Sequence, residues 1–208
     1  MEKSSQFCNI AYGASCLSSK NKKYIESLPS YKIIEENGVR ICISHGSPYH
    51  AKEIVEESNE ELFEKLIEEF QCNIYIFAHT HRAWSRKYKN TYFINPGSIS
   101  LPIDGPEAKY GILTVKQQEI IYEPMSFLYN FKEVVNYYHS NQEYYKKVKD
   151  WCSIVLTMIR DGYDHREMAF QYAKKVMQDR EIPCDGKIPE EIWRKMYEEY
   201  DKKYHFVK

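Results

Sequence analysis

Three histidines that follow short apolar runs have the side-chain type and the spacing of metal ligands. His45 comes directly after the run 39–44, and His79 and His81 come directly after the run 73–78. Neutral imidazole is a common protein ligand for first-row transition metals. Because residues i and i+2 share one face of an extended chain, the rings of His79 and His81 are expected to point into one cavity.

The elements that must position these histidines are strands, and each histidine stands where a strand is expected to end. The runs 39–43 and 73–78 are rich in apolar side chains, as in strands that are buried on both faces. A third run, 92–94, ends at Asn95-Pro96-Gly97-Ser98, where proline and glycine interrupt a ladder. Ligands of open α/β folds bind at the edge where strands end, so these three strand ends predict one site. Gly46, next to His45, is expected to let the backbone approach a bound ion closely.

Other patterns predict the elements around the strands. Ser58 and Glu61 form a capping-box pattern before apolar residues at helical spacing, which predicts a helix there. Two strands of a hairpin are predicted at 110–115 and 119–122, and a short helix is predicted at 19–28.

The pattern becomes wholly helical after Pro124. Apolar side chains then recur every three or four residues in three stretches: 144–158, 168–176 behind a cap at Asp164, and 189–200. We therefore predict an α/β domain over residues 1–124 and an α-helical extension over residues 125–208.

Three short segments carry a family resemblance. Ser44-His45-Gly46, Ala78-His79-Thr80-His81 and Asn95-Pro96-Gly97-Ser98 resemble the last three sequence blocks of the calcineurin-like metallophosphoesterases of the small bacterial type, in the order of that family. The resemblance covers about residues 17–124. It implies the C-terminal part of a metallophosphoesterase-type α/β/β/α sandwich, which an all-α extension follows.

The resemblance also implies a function and a set of site residues. His45 and His79 would bind one metal, and His81 would bind the other metal of a dinuclear pair of Mn, Fe, Zn or Ni. Such a pair activates a water for in-line attack on a phosphomonoester or phosphodiester, so a metal-dependent phosphoesterase is expected. Asn95 would shape its loop without binding metal. Apart from the resemblance, His50 is a candidate phosphate contact, with an exposed surface position as the alternative.

The chain departs from the family pattern in its N-terminal part. Ala78 replaces the usual glycine, and the Asp-x-His, Gly-Asp and Gly-Asn-His blocks that should precede His45 are absent. No aspartate occurs before Asp104. Carboxylates offset the charge of two divalent ions, and Glu35 and Glu36, on an apparent loop, are not expected to replace them. We interpret the chain as an incomplete phosphoesterase domain, N-terminally shortened and inactive by itself until a complementing segment supplies aspartates.

Two other functions stay open at this point. The first is a catalytically dead scaffold that keeps the phosphoesterase fold and binds partners through its helical extension. The second is a mononuclear zinc hydrolase in which the three histidines and a water complete a tetrahedral site. Metal analysis of the purified chain separates the scaffold from the two metal-dependent enzymes.

The composition of the chain limits the classes of partner that it can bind. A formal net charge of -1 argues against nucleic acid, because such binding needs an excess of Lys and Arg. The sequence has neither a signal-peptide pattern nor an apolar stretch of membrane-spanning length, and its six cysteines include no Cys-x-x-Cys pair. We therefore expect a cytoplasmic protein that acts on a small phosphoester, without a membrane. A phosphoesterase domain without its N-terminal strands would expose apolar sheet edges. We therefore expect either an N-terminal complementing segment or self-association of the chain.

Overall fold

The computed structural model describes residues 8–117, 119–183 and 188–208. In chain order the elements are α1 (Cys8–Cys16), α2 (Ser19–Glu26), β1 (Tyr31–Glu36), β2 (Val39–Ser44), α3 (Glu60–Phe70), β3 (Ile74–Ile76), β4 (Ala83–Tyr88), β5 (Thr91–Pro96), β6 (Glu107–Lys116), β7 (Glu119–Leu128), α4 (Phe131–Ser140), α5 (Gln142–Asp161), α6 (His165–Asp179) and α7 (Glu190–Tyr204). They form two compact units, one over Ser27–Leu128 and one in which the N-terminal helices join Tyr129–Lys208. No helix in these described ranges is both long enough and apolar enough to cross a bilayer.

The unit Ser27–Leu128 contains a mixed sheet in the strand order β1-β2-β3-β5-β4. The central strands β2, β3 and β5 are parallel, and the edge strands β1 and β4 pair antiparallel with their neighbours. The strands predicted near 39–43, 73–78 and 92–94 are confirmed as these three central strands. Because they are parallel, their carboxyl ends meet at one edge of the sheet.

Strand β1 corrects one expectation from the sequence. Glu35 and Glu36 lie in this edge strand and not in a loop, and Glu35 forms an ion pair with Arg40 at 2.9 Å. The turn that joins β1 to β2 has positive φ at Asn37 and Gly38, which is the signature of a tight hairpin.

Helix α3 covers one face of the sheet. It buries Phe63 and Leu66, and the Phe63 ring stacks on that of Phe93 with 3.9 Å between centroids. The predicted capping box does not form, because Asn59 occupies the N-cap position and its side chain accepts a hydrogen bond from Glu56 instead.

The hairpin of β6 and β7 covers the other face. Its side chains Leu113, Val115, Ile120 and Tyr122 pack on the apolar residues Val39, Ile41, Ile74 and Ile94 of the sheet. The order helix, sheet, second sheet is the layering of one side of an α/β/β/α sandwich, so the expected fold class is confirmed for this unit. The hairpin is longer than predicted: β7 continues through Pro124, opposite Gly111, to Leu128.

The second unit is helical in its described part. Its core contains Trp151 and Trp193, whose ring centroids are 5.3 Å apart, and Asp164 caps α6 through the backbone N–H groups of Arg166 and Glu167. The helices predicted after residue 125 are confirmed, whereas α1 had no clear period in the sequence. The domain boundaries 1–124 and 125–208 remain predictions. In the structure the N-terminal helices α1 and α2 group with the helical unit and not with the sheet.

Candidate functional site

The candidate site lies at the sheet edge where β2, β3 and β5 end. His45 follows β2, while His79 and His81 lie in the loop between β3 and β4. The backbone ties the loops together, because the Ala78 N–H donates to the His45 carbonyl at 2.9 Å. The three predicted histidines therefore meet at one end of the sheet, as their positions after strands indicated.

His45 and His79 lie side by side in the site. The Nδ1 atom of His79 lies 3.3 Å from the Nε2 atom of His45. Two ligand nitrogens at roughly 2.1 Å from one cation, at a near-tetrahedral angle, stand about 3.4 Å apart. The pair therefore has the spacing of two ligands on one metal ion, which is also the spacing of a hydrogen bond between the two rings.

The protonation of His79 suits this arrangement. Burial lowers the pKa of its imidazole below the ordinary value, and the neighbouring His45, Lys52 and His50 lower the pKa further. At neutral pH the ring is consequently uncharged and presents a lone pair, which is the form that binds metal.

His81 lies on the same cavity but has a different contact. Its Nδ1 atom is 3.2 Å from the carbonyl oxygen of Leu101. A proton on Nδ1 would satisfy that carbonyl and put the lone pair on Nε2, as in histidine ligands that a backbone group orients. Among the described residues no group of three or more His, Cys, Asp or Glu side chains is placed to hold one metal ion.

The backbone at His79 and His81 is left-handed, whereas an extended backbone was predicted from the sequence. Their φ angles are 58° and 59°. Non-glycine residues adopt this region at a cost, and such residues cluster at functional sites. The rings reach the cavity because the loop is coiled, so the predicted alternation along an extended chain was wrong.

Asn95 holds this coiled loop. Its side chain is fully buried, and its Nδ2 donates to the Ala78 carbonyl at 2.7 Å and to Thr80 Oγ1 at 3.1 Å. Its Oδ1 accepts the Gly97 N–H at 3.1 Å. Asn95 thus makes the loop-shaping contacts that the family resemblance implied.

Gly46 has a packing role that the sequence did not indicate. A Cβ atom at this position would lie 2.6 Å from the His50 carbonyl oxygen and 2.8 Å from that of Ala51. The loop after His45 folds back on itself at this point, and only glycine leaves room for it.

His50, the predicted phosphate contact, lies in this loop. Its ring is exposed, and its Nδ1 accepts the Lys52 N–H at 3.2 Å. His50 is not among the residues that line the cavity, so its role in substrate binding remains a prediction.

The histidines open onto a cavity of about 470 Å³, a size ordinary for a small-molecule site. Four stretches of the unit line it: His45, then residues 78, 79 and 81, then 96–100, and finally 109–111. Lys109 is among the residues that line this cavity, and within the described residues the lining contains no carboxylate. Lys109 was not among the site residues predicted from the sequence, and its neighbours Tyr110 and Gly111 were predicted only as part of a strand.

These donors fit a metal ion only in part. The spacing of His45 and His79 matches two ligands of one cation, but a dinuclear pair also needs carboxylates to offset its charge. The described lining supplies none, and Glu35 and Glu36 lie elsewhere on the edge strand β1. The dinuclear centre implied by the resemblance therefore does not fit these residues alone.

A comparison with family models identifies the class of protein. The calcineurin-like phosphoesterase superfamily domain matches residues 4–118, more than half of the chain, and the chain belongs to this superfamily. The resemblance of the three sequence blocks is thereby confirmed. No curated protein matches the chain.

Solved structures share limited similarity with the chain. Hypothetical protein PH1004 from Pyrococcus horikoshii OT3 is 16% identical over 62% of this chain and 52% of that chain, with a TM-score of 0.49. Vps29 complexed with Zn²⁺ from Entamoeba histolytica is 22% identical over 48% and 62%, with a TM-score of 0.38. A novel archaeal phosphodiesterase is 19% identical over 47% and 51%, with a TM-score of 0.35. The chain thus spans between half and two thirds of the length of these proteins.

Proposed function

We propose that this chain provides the histidine half of a metal-dependent phosphoesterase site, with His45 and His79 as two ligands of one divalent cation. The observation that carries the proposal is the 3.3 Å separation of their nitrogen atoms at the strand-end edge of a calcineurin-like phosphoesterase domain. A divalent cation in such a site supplies a Lewis acid and a water of lowered pKa for the hydrolysis of a phosphoester.

The residues of the chain have separate roles in this proposal. His79 stays neutral because burial lowers its pKa, so it can donate a lone pair without first losing a proton. Asn95 fixes the loop that carries His79 and His81. His81, with Nδ1 on the Leu101 carbonyl, is proposed as the ligand of a second cation.

The proposal includes a source for the missing carboxylates. The described cavity lining contains none, so we propose that a carboxylate-bearing complementing segment or a second copy of the chain adds them. The substrate is a small phosphomonoester or phosphodiester, the metal is Mn, Fe, Zn or Ni, and the expected location is the cytoplasm.

The test combines metal content and hydrolysis. The purified chain is stripped with a chelator, reloaded with manganese or zinc, and assayed for bound metal and for hydrolysis of aryl phosphomonoesters and phosphodiesters. His79→Ala is expected to lose the bound metal and, where the loaded chain is active, to lower the rate by at least about 10²-fold. His205→Asn, at an exposed helix end with left-handed backbone, is the control and should change neither.

The scaffold is the second candidate function, and the carboxylate-free lining favours it. A scaffold binds no stoichiometric metal after reloading, and its His79→Ala variant matches the parent in metal content. A change of less than tenfold in both metal affinity and rate would contradict the proposed ligand role and leave the scaffold.

A further inference from the structure

An ion pair beside the cavity is not used by the proposed function. Lys109 Nζ lies 2.9 Å from Asp104 Oδ2, and it donates to the Asp104 backbone carbonyl at 2.9 Å. The side chains of Lys109 and Asp104 are only 22% and 23% exposed. Asp104 Oδ2 also accepts the Ala83 N–H at 3.1 Å, so the carboxylate is fixed to β4.

The two charges of this pair have different relations to the cavity. Lys109 lines it, whereas Asp104 does not, and the described lining contains no Asp, Glu or Arg and no second Lys. An ammonium has three N–H donors, and Asp104 accounts for two of them. Lys109 is therefore the cationic residue of the described lining, and its counter-ion Asp104 stands outside that lining.

The loop that follows β5 fixes the position of Lys109. The Lys109 N–H donates to the Ser98 carbonyl at 3.0 Å. A Cβ atom at Gly97, where φ is 85°, would lie 2.9 Å from the Lys109 Cβ. Ser98 Oγ accepts the Leu101 N–H at 3.0 Å, and its own O–H can donate on the same wall of the cavity.

We propose that Lys109 recognises a dianionic phosphate in this cavity and that Asp104 positions Lys109 and limits the affinity by competing for it. The ligand class is inorganic phosphate or a phosphomonoester, because a dianion gains more from one ammonium than the single charge of a diester does. The choice of a phosphomonoester as substrate rests on the proposed function. The binding of phosphate by Lys109 does not, because it requires no metal ion.

The test is titration calorimetry of inorganic phosphate into the chelator-treated full chain. Lys109→Met should weaken binding by at least about tenfold, since a charge-assisted hydrogen bond is lost. Asp104→Asn should tighten binding by about threefold or more, since the competing charge is removed. Lys116→Met, at an exposed position at the end of the same strand, should change it by less than about twofold.

The opposite signs of the two effects separate recognition from a purely structural ion pair. If Lys109→Met binds phosphate like the parent, or if Asp104→Asn weakens binding, the proposal is overturned; absence of binding to the parent chain also overturns it. If Lys109→Met does not fold, the double variant that adds Asp104→Asn removes both charges and should fold without binding phosphate. The calorimetry uses metal-free protein. Its outcome is therefore independent of the metal-content measurement on His79→Ala, which tests the proposed function.

Discussion

Replacement of Asn95 by alanine tests how the site loop is held. The fully buried side chain makes three hydrogen bonds, to Ala78, Thr80 and Gly97. At about 1 kcal/mol for each bond, Asn95→Ala should lower the free energy of unfolding of the unit Ser27–Leu128 by about 3 kcal/mol. The cost falls on the site loop, because the Gly97 N–H loses its side-chain acceptor and the Ala78 carbonyl keeps only the Thr80 N–H, at 2.6 Å, as a donor.

Hydrogen exchange measured by mass spectrometry assigns the effect to its unit. Peptides that cover β3 and β5 should exchange about 10²-fold faster in Asn95→Ala, the equivalent of about 3 kcal/mol, while peptides of α5 and α7 keep their rates. Asn136→Ala, on the exposed surface of α4, is the control and should leave both sets unchanged. A loss below about 1 kcal/mol in Asn95→Ala would refute the view that this side chain holds the loop.

Three more changes have expected outcomes. Gly46→Ala places a Cβ 2.6 Å from the His50 carbonyl oxygen and should cost about 1–3 kcal/mol in urea unfolding; a cost near zero would show that the loop can move aside. Asp164→Ala removes the N-cap of α6 and should cost about 1 kcal/mol, measured by the same method, whereas Asp164→Ser should recover most of it. His45→Ala removes a neighbour that lowers the pKa of His79, so an NMR titration should find that pKa higher than in the parent. Because the pKa of His79 is lower in the folded chain, the unfolded chain binds more protons at acid pH. The contribution of His79 to the free energy of unfolding should therefore be at its full value above the ordinary histidine pKa of about 6.5, and it should decline as the pH falls through the folded pKa.

The central sheet and the site histidines could be predicted because their signals are local. Strands β2, β3 and β5 are short apolar runs, and a strand buried on both faces requires such a run. His45, His79 and His81 come directly after those runs, so the parallel order of the strands was enough to bring them to one edge.

Other features depend on tertiary contacts and had weak signals. Strand β1 carries Glu35 and Glu36 because it is an exposed edge, and the turn residues Asn37 and Gly38 were its best signal. Strand β7 continues past Pro124 because an edge strand tolerates a residue without an N–H donor.

The geometry of the site was the hardest part to predict. The left-handed backbone of His79 and His81 is fixed by Asn95, more than a dozen residues away in the sequence, and not by local propensity. Lys109 becomes a cavity residue only because the hairpin returns beside the loop after β5. Neither long-range contact leaves a periodic pattern in the sequence.

X-ray absorption of the zinc-loaded chain tests the central claim most directly. The proposed pair predicts a shell of imidazole nitrogens at about 2.0–2.1 Å from the metal, and His79→Ala should remove one of them. A spectrum without an imidazole shell, or one that is identical in the parent and in His79→Ala, would contradict the assignment of His45 and His79 as ligands of one cation.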